Sequence, residues 1–480
     1  MNVLFVNQYF WPDMAATAQL LADLGEDLAA QGCRVRAIAG RGRYAGPDAA
    51  RLARRETWRG VGIRRVACTN FGRGSVLGRA TDYVTFLASA AVAIVFGRRP
   101  DVVVCLSTPP LVAVLGLVAR LRGARFVYKV EDLYPDVAVA LGTFRAGSPP
   151  ARLFGRVSAL LLRKADAVVA LDGAMRRTLA ARGARRVEVI PNWADGDGIR
   201  PDRDAGARFR EANGLGGRFV ALYSGNLGLA HRFDAVIGAA RALAAVRPDI
   251  VFLFVGGGPR LGEVRALAAG LANVRFMPYQ PREALGKLYN AADVHLVTLR
   301  DEVAGLLVPS KYAAALAAGK PVLLVGGEGA DLWREVGEER LGWRCPHEVE
   351  AVLAAIKEAA QVPEARRECG RRAREVFEAR YDRRAATARW AALLRDVVGS
   401  GRGAEGQRSR GAEEQRSRGA EGQRSGGARH SAPPAAWLRA LLPTQATTHK
   451  QQHIGNNDLY DQHTGTMRDD GGRAGGMRER

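Results

Sequence analysis

Cysteine is scarce and scattered. The five in 480 residues, Cys33, Cys68, Cys105, Cys345 and Cys369, form no C-x-x-C pair and no zinc-type spacing. A disulfide framework or structural zinc site is therefore not expected, and a reducing, cytoplasmic compartment fits. Long apolar runs are also missing. The longest, from Tyr83 to Gly97 between Asp82 and Arg98-Arg99, falls short of the ~20 residues a spanning helix needs. It is expected to form a buried or interfacial helix, and no transmembrane segment is predicted. The opening Met1-Asn2-Val3-Leu4-Phe5-Val6 lacks the parts of a signal peptide and reads as a buried strand. The glycine loops that follow the apolar runs are not the G-x-G-x-x-G fingerprint, no Walker G-x-x-x-x-G-K-[ST] occurs, and there is no nucleophile elbow. A nicotinamide enzyme and a P-loop ATPase thus lack support.

Acids are outnumbered: 49 Asp+Glu stand against 71 Lys+Arg, a formal charge of +22. Anionic partners are expected, whether nucleic acid, phospholipid or nucleotide-linked substrates. The excess is concentrated early, with 28 basic and 14 acidic residues in 1–192 against 30 and 26 in 193–400. Its densest stretch is Arg51, Arg54, Arg55, Arg59, Arg64 and Arg65, joined by Arg73, Arg79, Arg98 and Arg99. Two readings compete: a solvated arginine-rich surface, or a patch facing anionic lipid. No stacking platform or nucleic-acid motif accompanies the charge, so nucleic acid is not the expected partner.

Hydrophobic residues make up 47% and charged residues 25%, a globular balance with room for two core-bearing domains. Apolar runs at Val3–Val6, Arg34–Ala39, Val102–Leu106, Phe126–Lys129 and Ala167–Leu171 alternate with helix-period segments such as Ala15–Gln31. After Ile190-Pro191-Asn192-Trp193 the pattern restarts at Phe219–Ser224, Val251–Val255, Val274–Met277, Val294–Leu299 and Pro321–Val325. The expected fold class is α/β, two doubly wound parallel-sheet domains in tandem with a hinge near Pro191. The domains expected are residues 1–190, 191–380, a helix at 381–400 returning to the first domain, and a tail at 401–480. That helix is read as the end of a longer one over Glu364–Val398. The tail repeats eight residues almost unchanged at Arg402–Ser409, Arg410–Ser417 and Arg418–Ser425, a composition that cannot bury a core.

Three loops of the second half carry chemistry. Tyr223-Ser224-Gly225-Asn226-Leu227-Gly228 and Val255-Gly256-Gly257-Gly258-Pro259 each follow a strand. Glycines there let a backbone approach an anion, at the carboxyl edge where open α/β sheets bind ligands. Val308-Pro309-Ser310-Lys311 precedes an alanine-rich helix, where Ser310 can cap the helix and Lys311 can meet a diphosphate as a point charge. His295 lies inside an apolar run and reads as a core histidine.

The order of these pieces resembles the family 4 glycosyltransferases of the GT-B fold over roughly residues 1–395. Besides the three loops, the motifs are Asn7-Gln8-Tyr9-Phe10-Trp11-Pro12, Val130-Glu131-Asp132-Leu133-Tyr134-Pro135-Asp136, Val189-Ile190-Pro191-Asn192-Trp193-Ala194-Asp195, Asn273-Val274-Arg275-Phe276 and Leu288-Tyr289-Asn290-Ala291-Ala292-Asp293-Val294. The nearest branch is that of the N-acetyl-fucosamine-transferase-like and colanic-acid-type enzymes of bacterial surface polysaccharides. The resemblance implies two Rossmann-like domains facing a cleft. It implies a nucleotide-sugar donor, UDP-linked, held by the second domain through Gly225, Asn226, Gly228, His231, Arg232, Gly256, Gly258, Ser310 and Lys311, with the base near Tyr279 and Gln280. The first domain would receive a polyprenyl-diphosphate-linked or glycan acceptor past Pro12, Ala16 and Thr17. Asp132 and Glu131 at the cleft floor are the catalytic candidates, Asp132 first as acceptor-hydroxyl ligand or base. Transfer with retention, no bound metal and no cofactor beyond the co-substrate are also implied. So is a cytoplasmic enzyme, peripheral on the inner face of the bacterial membrane through its basic first domain.

Two departures stand out. The wider family places glutamates where this chain has Leu306 and Ala314, and an arginine and a lysine where it has Asn226 and His231. Arg232 or Lys311 is expected to supply the positive charge, and Asp301 or Glu302 either replaces the lost acid or is merely solvated. The alternatives to transfer are a GT-B-type nucleotide-sugar epimerase and a non-catalytic sugar-nucleotide-binding scaffold.

Overall fold

A computed structural model describes residues 1–42, 52–69, 71, 76–107 and 109–400. The readings made for Arg51, Arg73 and the repeats of 401–480 fall outside the described residues, as does the side chain of Arg79.

The apolar runs fold as strands because helices cover both faces, so most residues along them are buried, completely so in Val102–Cys105, Ala167–Ala170, Phe219–Ser224, Ile250–Val255, Val294–Thr298 and Val322–Val325. The first sheet holds β1 (Asn2–Val6), β2 (Arg34–Ala39), β3 (Arg55–Trp58), β4 (Val61–Arg65), β5 (Val102–Cys105), β6 (Arg125–Lys129), β7 (Ala167–Ala170) and β8 (Val187–Val189). Its order is β3-β4-β2-β1-β5-β6-β7-β8, parallel except for β3 against β4. The second holds β9 (Phe219–Ser224), β10 (Ile250–Val255), β11 (Val274–Met277), β12 (Val294–Thr298), β13 (Val322–Val325) and β14 (Gly342–Cys345). Its order is β11-β10-β9-β12-β13-β14, parallel throughout. In both, the strand order reverses beside the first strand, between β1 and β5 and between β9 and β12, and such switch points are where α/β sheets open a crevice.

Four strands lie outside the apolar runs: β3, β4, β8 and β14. β4 corrects the reading of the Arg51–Arg65 stretch as one exposed patch. Val61, Ile63 and Arg65 alternate into the domain while Arg64 faces water, and the 4% exposed Arg65 donates to the carbonyls of Trp11 and Ala53 and to Glu56. Trp11 and Trp58 stack beside it with centroids 4.6 Å apart. The apolar Tyr83–Gly97 run forms the greater part of a helix, Val76–Val95.

The expected unbroken helix over Glu364–Val398 is divided. Pro363–Val376 is helical, Phe377–Tyr381 forms a π turn, and a last helix covers 383–400. The division follows from crossing between domains. The returning chain pairs with the outgoing linker, Ala194 N–H to the Tyr381 carbonyl (3.1 Å) and Arg383 N–H to the Ala194 carbonyl (3.1 Å). Gly196 has no side chain because a methyl group there would overlap the Asp382 carboxylate. Beyond the crossing, Ala386, Trp390 and Leu394 enter the first domain's core with Val3, Leu20 and Leu24. Arg383 fastens the join to Glu26 (2.9 Å) and Asp27 (2.6 Å) of the helix Ala16–Ala30.

Candidate functional site

The second-domain wall of the cleft is two glycine loops packed on each other. Gly225 (φ +133°) ends β9, and Gly256 (φ +136°) and Gly258 (φ +140°) follow β10, a backbone region that L side chains rarely enter. A methyl group on Gly256 would overlap the Gly225 carbonyl, and one on Gly258 would meet the Asn226 amide and the Leu227 backbone. Leu227 N–H donates to the Gly257 carbonyl (2.7 Å). These glycines are thus required by loop packing, which also leaves backbone open to the carboxyl edge. The Tyr279 ring covers Gly256 and Gly257, its hydroxyl donating to the Gly257 carbonyl (3.3 Å). Gln280 turns back to the Pro278 carbonyl (3.0 Å).

Lys311 reaches this wall from the first turn of the helix Lys311–Ala317. Its ammonium donates to the Tyr223 hydroxyl (2.8 Å) and to His231 Nε2 (3.0 Å), and lies 4.3 Å from the centre of the Tyr223 ring. The Tyr223 hydroxyl in turn donates to the Asn226 carbonyl (2.7 Å). His231 Nδ1 donates to the Thr298 carbonyl (2.6 Å), leaving Nε2 as the acceptor. Burial, reinforced by the Lys311 charge, holds the His231 pKa well below 6.5, so the ring is neutral. Burial likewise pulls Lys311 down from 10.5 to about 7, and no carboxylate pairs with it among the described residues.

The remaining donor-side candidates separate. Arg232 is exposed and pairs with Asp234 (2.9 Å), so of the two proposed cations only Lys311 joins the cluster. Ser310 makes no side-chain cap to the helix, correcting that expectation, and lines a cavity of about 340 Å³ with Asn192, Pro309, Glu335 and Arg380. Asp301 and Glu302 stand exposed on a 3-10 turn, Glu302 beside Arg300 (3.4 Å), which is the solvated alternative. His295 is a core residue, bonded to the Tyr289 carbonyl (3.0 Å).

On the first-domain wall the two adjacent acids have different surroundings. Ser107 Oγ accepts from the backbone N–H of Glu131 (2.9 Å) and of Asp132 (3.0 Å), fixing the turn after β6. Both Glu131 oxygens are occupied, one by Lys129 and one by Asn192 Nδ2 (2.8 Å), while Lys129 also donates to Asn192 Oδ1 (2.6 Å). All three are buried. The Asp132 carboxyl has no partner among the described residues, and burial, then the Glu131 charge, raises it from 3.8 to about 7. Pro12 and Ala16 are exposed and Thr17 half-buried where β1 passes into its helix.

The walls meet. Asp132 forms an antiparallel bridge with Leu307, and Leu133 N–H donates to the Leu306 carbonyl (2.9 Å). The backbone of Asp132, which bears the unpartnered carboxyl, is thereby joined to a position four residues before Lys311. Arg282 adds a second tie, to Asp23 (2.8 Å), and Asp331 a third, to Ala174 N–H (2.8 Å).

Residues 16–193 match the glycosyl transferase 4-like domain and residues 207–376 the glycosyl transferases group 1. The chain belongs to the family 4 glycosyltransferases. Relatives of this transferase include WbjE of Pseudomonas aeruginosa, 29% identical over 264 residues, 54% of this chain and 66% of that one. WcaI of Escherichia coli (strain K12) is 27% identical over 392 residues, 76% and 93% of the two. Both are named as glycosyltransferases, the second of colanic acid biosynthesis. Among solved structures, sucrose-phosphate synthase from Thermosynechococcus elongatus superposes with TM-score 0.65 over 83% of this chain and all of that one, at 18% identity. Anabaena HepE in complex with UDP-glucose gives 0.61 over 82% and 100%, at 19%. At such identity these neighbours establish the GT-B fold.

In the transferase, the two positions lacking the family's glutamates are packing positions. Leu306 and Val308 pack on the first domain's core, and Ala314 on a core of the second. The sequence reading missed Tyr223 as the partner of Lys311, although it opens the motif that the reading quoted. It also missed Arg260, two residues beyond Gly258, whose guanidinium bonds the His231 carbonyl and lies 6.0 Å from the Phe233 ring centre.

Proposed function

We propose that the transferase moves a sugar from a nucleoside-diphosphate donor, UDP-linked, to a lipid-linked or glycan acceptor in the assembly of a bacterial surface polysaccharide. The observation that carries this is the uncompensated Lys311 ammonium beside two open glycine loops, in the wall joined to Asp132. A diphosphate supplies the anion that Lys311 lacks, and the glycine backbone admits it closely. Tyr279 offers a ring for the base.

In the reaction the carbon–oxygen bond to the diphosphate breaks ahead of attack, an acceptor hydroxyl enters the anomeric carbon on the same face that the diphosphate leaves, so that configuration is retained, and the hydroxyl proton passes to the Asp132 carboxylate. A carboxyl raised to about 7 suits a base working near neutrality. Charge developing on the departing diphosphate falls to Lys311 and the loop N–H groups, preorganised where water is largely excluded. The reaction proposed is retaining and metal-independent. The names of WbjE and WcaI support the surface-polysaccharide setting, and the UDP-glucose complex of HepE supports the donor class. No helix among the described residues is long and apolar enough to cross a membrane. A cytoplasmic protein, peripheral on the inner membrane face where lipid-linked acceptors are met, fits this reading.

Calorimetric titration with UDP, GDP, ADP and TDP, each with and without magnesium, tests the donor site. Selective binding of UDP, indifferent to magnesium and lost in Lys311→Ala, is expected. Absence of binding at millimolar nucleotide would remove the proposal.

A further inference from the structure

Helix Val76–Val95 is buried on one side only. Phe86, Ala90, Ala93 and Ile94 belong to the first-domain core. On the other side, every exposed position with a described side chain is apolar: Leu77, Ala80, Val84, Ala88, Val92 and Val95. Their three- and four-residue spacing makes one stripe, which continues into Phe96, 84% exposed. Two of the helix's polar side chains are used within the domain. Asp82 accepts from Phe71 N–H (3.0 Å), and the Thr85 hydroxyl accepts from Thr69 N–H (3.1 Å). A water-facing helix surface ordinarily carries the polar residues, so this one is reversed.

Cations border the far end. Arg98 and Arg99 are exposed, and Arg99 donates to the Gly123 carbonyl (2.8 Å). Arg122 bonds the carbonyls of Ile94 and Gly97, which fixes the neighbouring turn, with Leu121 89% exposed, against the end of the stripe. We propose that this face docks on the anionic headgroup surface of a lipid bilayer, the stripe lying in the plane at the acyl boundary and the arginines on lipid phosphates. Charge complementarity selects this occupant. A second copy would bring two first domains together, each with 28 basic residues against 14 acidic in 1–192.

The surface deepens the proposed lipid-linked acceptor and rests on that reading for its purpose. The helix follows the parallel strand β4, so it starts at the sheet's carboxyl edge, where Asp132 meets the second domain. It then runs about 30 Å away from that edge at 1.5 Å per residue. A bilayer against the stripe therefore reaches the cleft mouth at Leu77. The Arg55–Arg65 hairpin is not this surface, since it forms the sheet's edge and turns Arg65 inward.

The test is sedimentation of the full chain with vesicles of phosphatidylcholine, alone or with about 30% phosphatidylglycerol. Wild type should bind the anionic vesicles. Val84→Asp/Val92→Asp should lower partitioning at least tenfold, and Arg98→Glu/Arg99→Glu should abolish the preference for phosphatidylglycerol. Both variants should keep the wild-type Tm and nucleotide affinity, because the altered residues are exposed and outside the cleft. Wild type left in the supernatant, or the aspartate pair binding like wild type, overturns the proposal. So does a wild-type dimer that the aspartate pair dissolves, which assigns the face to a second copy. Nucleotide binding without vesicle binding rejects this surface and spares the donor site; vesicle binding without nucleotide binding does the reverse.

Discussion

The two walls of the cleft share a plan, loops at the carboxyl ends of parallel strands, and treat charge in opposite ways. On the second-domain wall one cation, Lys311, is held by neutral groups, the Tyr223 hydroxyl and the His231 ring. On the first-domain wall there are two anions, and the neighbouring cation is spoken for: Lys129 pairs with Glu131, leaving Asp132 alone. Burial draws the unpaired lysine down and the unpaired aspartate up, each to about 7. A charge without a counter-charge marks where a ligand is missing, whereas a charge inside a complete network marks architecture.

The sharpest way to break this contrast is Asp132→Asn. Turnover should fall on the order of a thousandfold, the scale of a lost general base, while nucleotide Kd changes less than twofold. Thermal melts give an independent readout. A raised carboxyl pKa means that the folded state binds more protons than the unfolded between 3.8 and about 7, so this group's contribution to stability falls as pH rises through that window. The variant should therefore be more stable than wild type at pH 8, by about 1 kcal/mol after allowance for cleft water, and equal to it below pH 4.

Lys311→Ala should weaken nucleoside-diphosphate binding about a hundredfold, the worth of one charge-assisted contact in a sheltered site, with Tm unchanged or raised. Glu131→Gln sharpens the contrast from the other side. It should cost about 3 kcal/mol in denaturant unfolding by stranding the buried Lys129, yet leave nucleotide affinity within twofold. An equal loss of affinity in both variants would erase the distinction between the walls.

Acidity offers a milder probe. Because Lys311 is half-deprotonated near pH 7 when free, UDP affinity should fall by about tenfold per unit above that point. Titrations at pH 8 in two buffers of different ionisation enthalpy should reveal proton uptake. The smallest effect belongs to Arg232→Ala: its guanidinium is exposed and pairs with Asp234, so stability should move by less than about 0.5 kcal/mol and UDP affinity by less than twofold.

Much of the fold was legible because buried parallel strands leave uninterrupted apolar runs, such as Val102–Cys105 and Ile250–Val255. Strands without an apolar run of their own escaped, as Arg-rich β4 and the short, half-buried β8 show. Within the site, Gly225, Gly256 and Lys311 were legible since motif order marks strand ends. The fates of Glu131 and Asp132 were not, for neighbours in sequence carry the same charge and differ only in what the fold brings to them.

The sequence by itself determined two α/β domains, a linker near Pro191 and glycine loops at strand ends, all of which depend on local periodicity and backbone freedom. Only the tertiary structure decided which charges are free. Lys311 meets Tyr223 across 88 residues and His231 across 80, and Lys129 meets Asn192 across 63. Desolvation and pairing at such separations come from packing, and no pattern in a linear chain carries them.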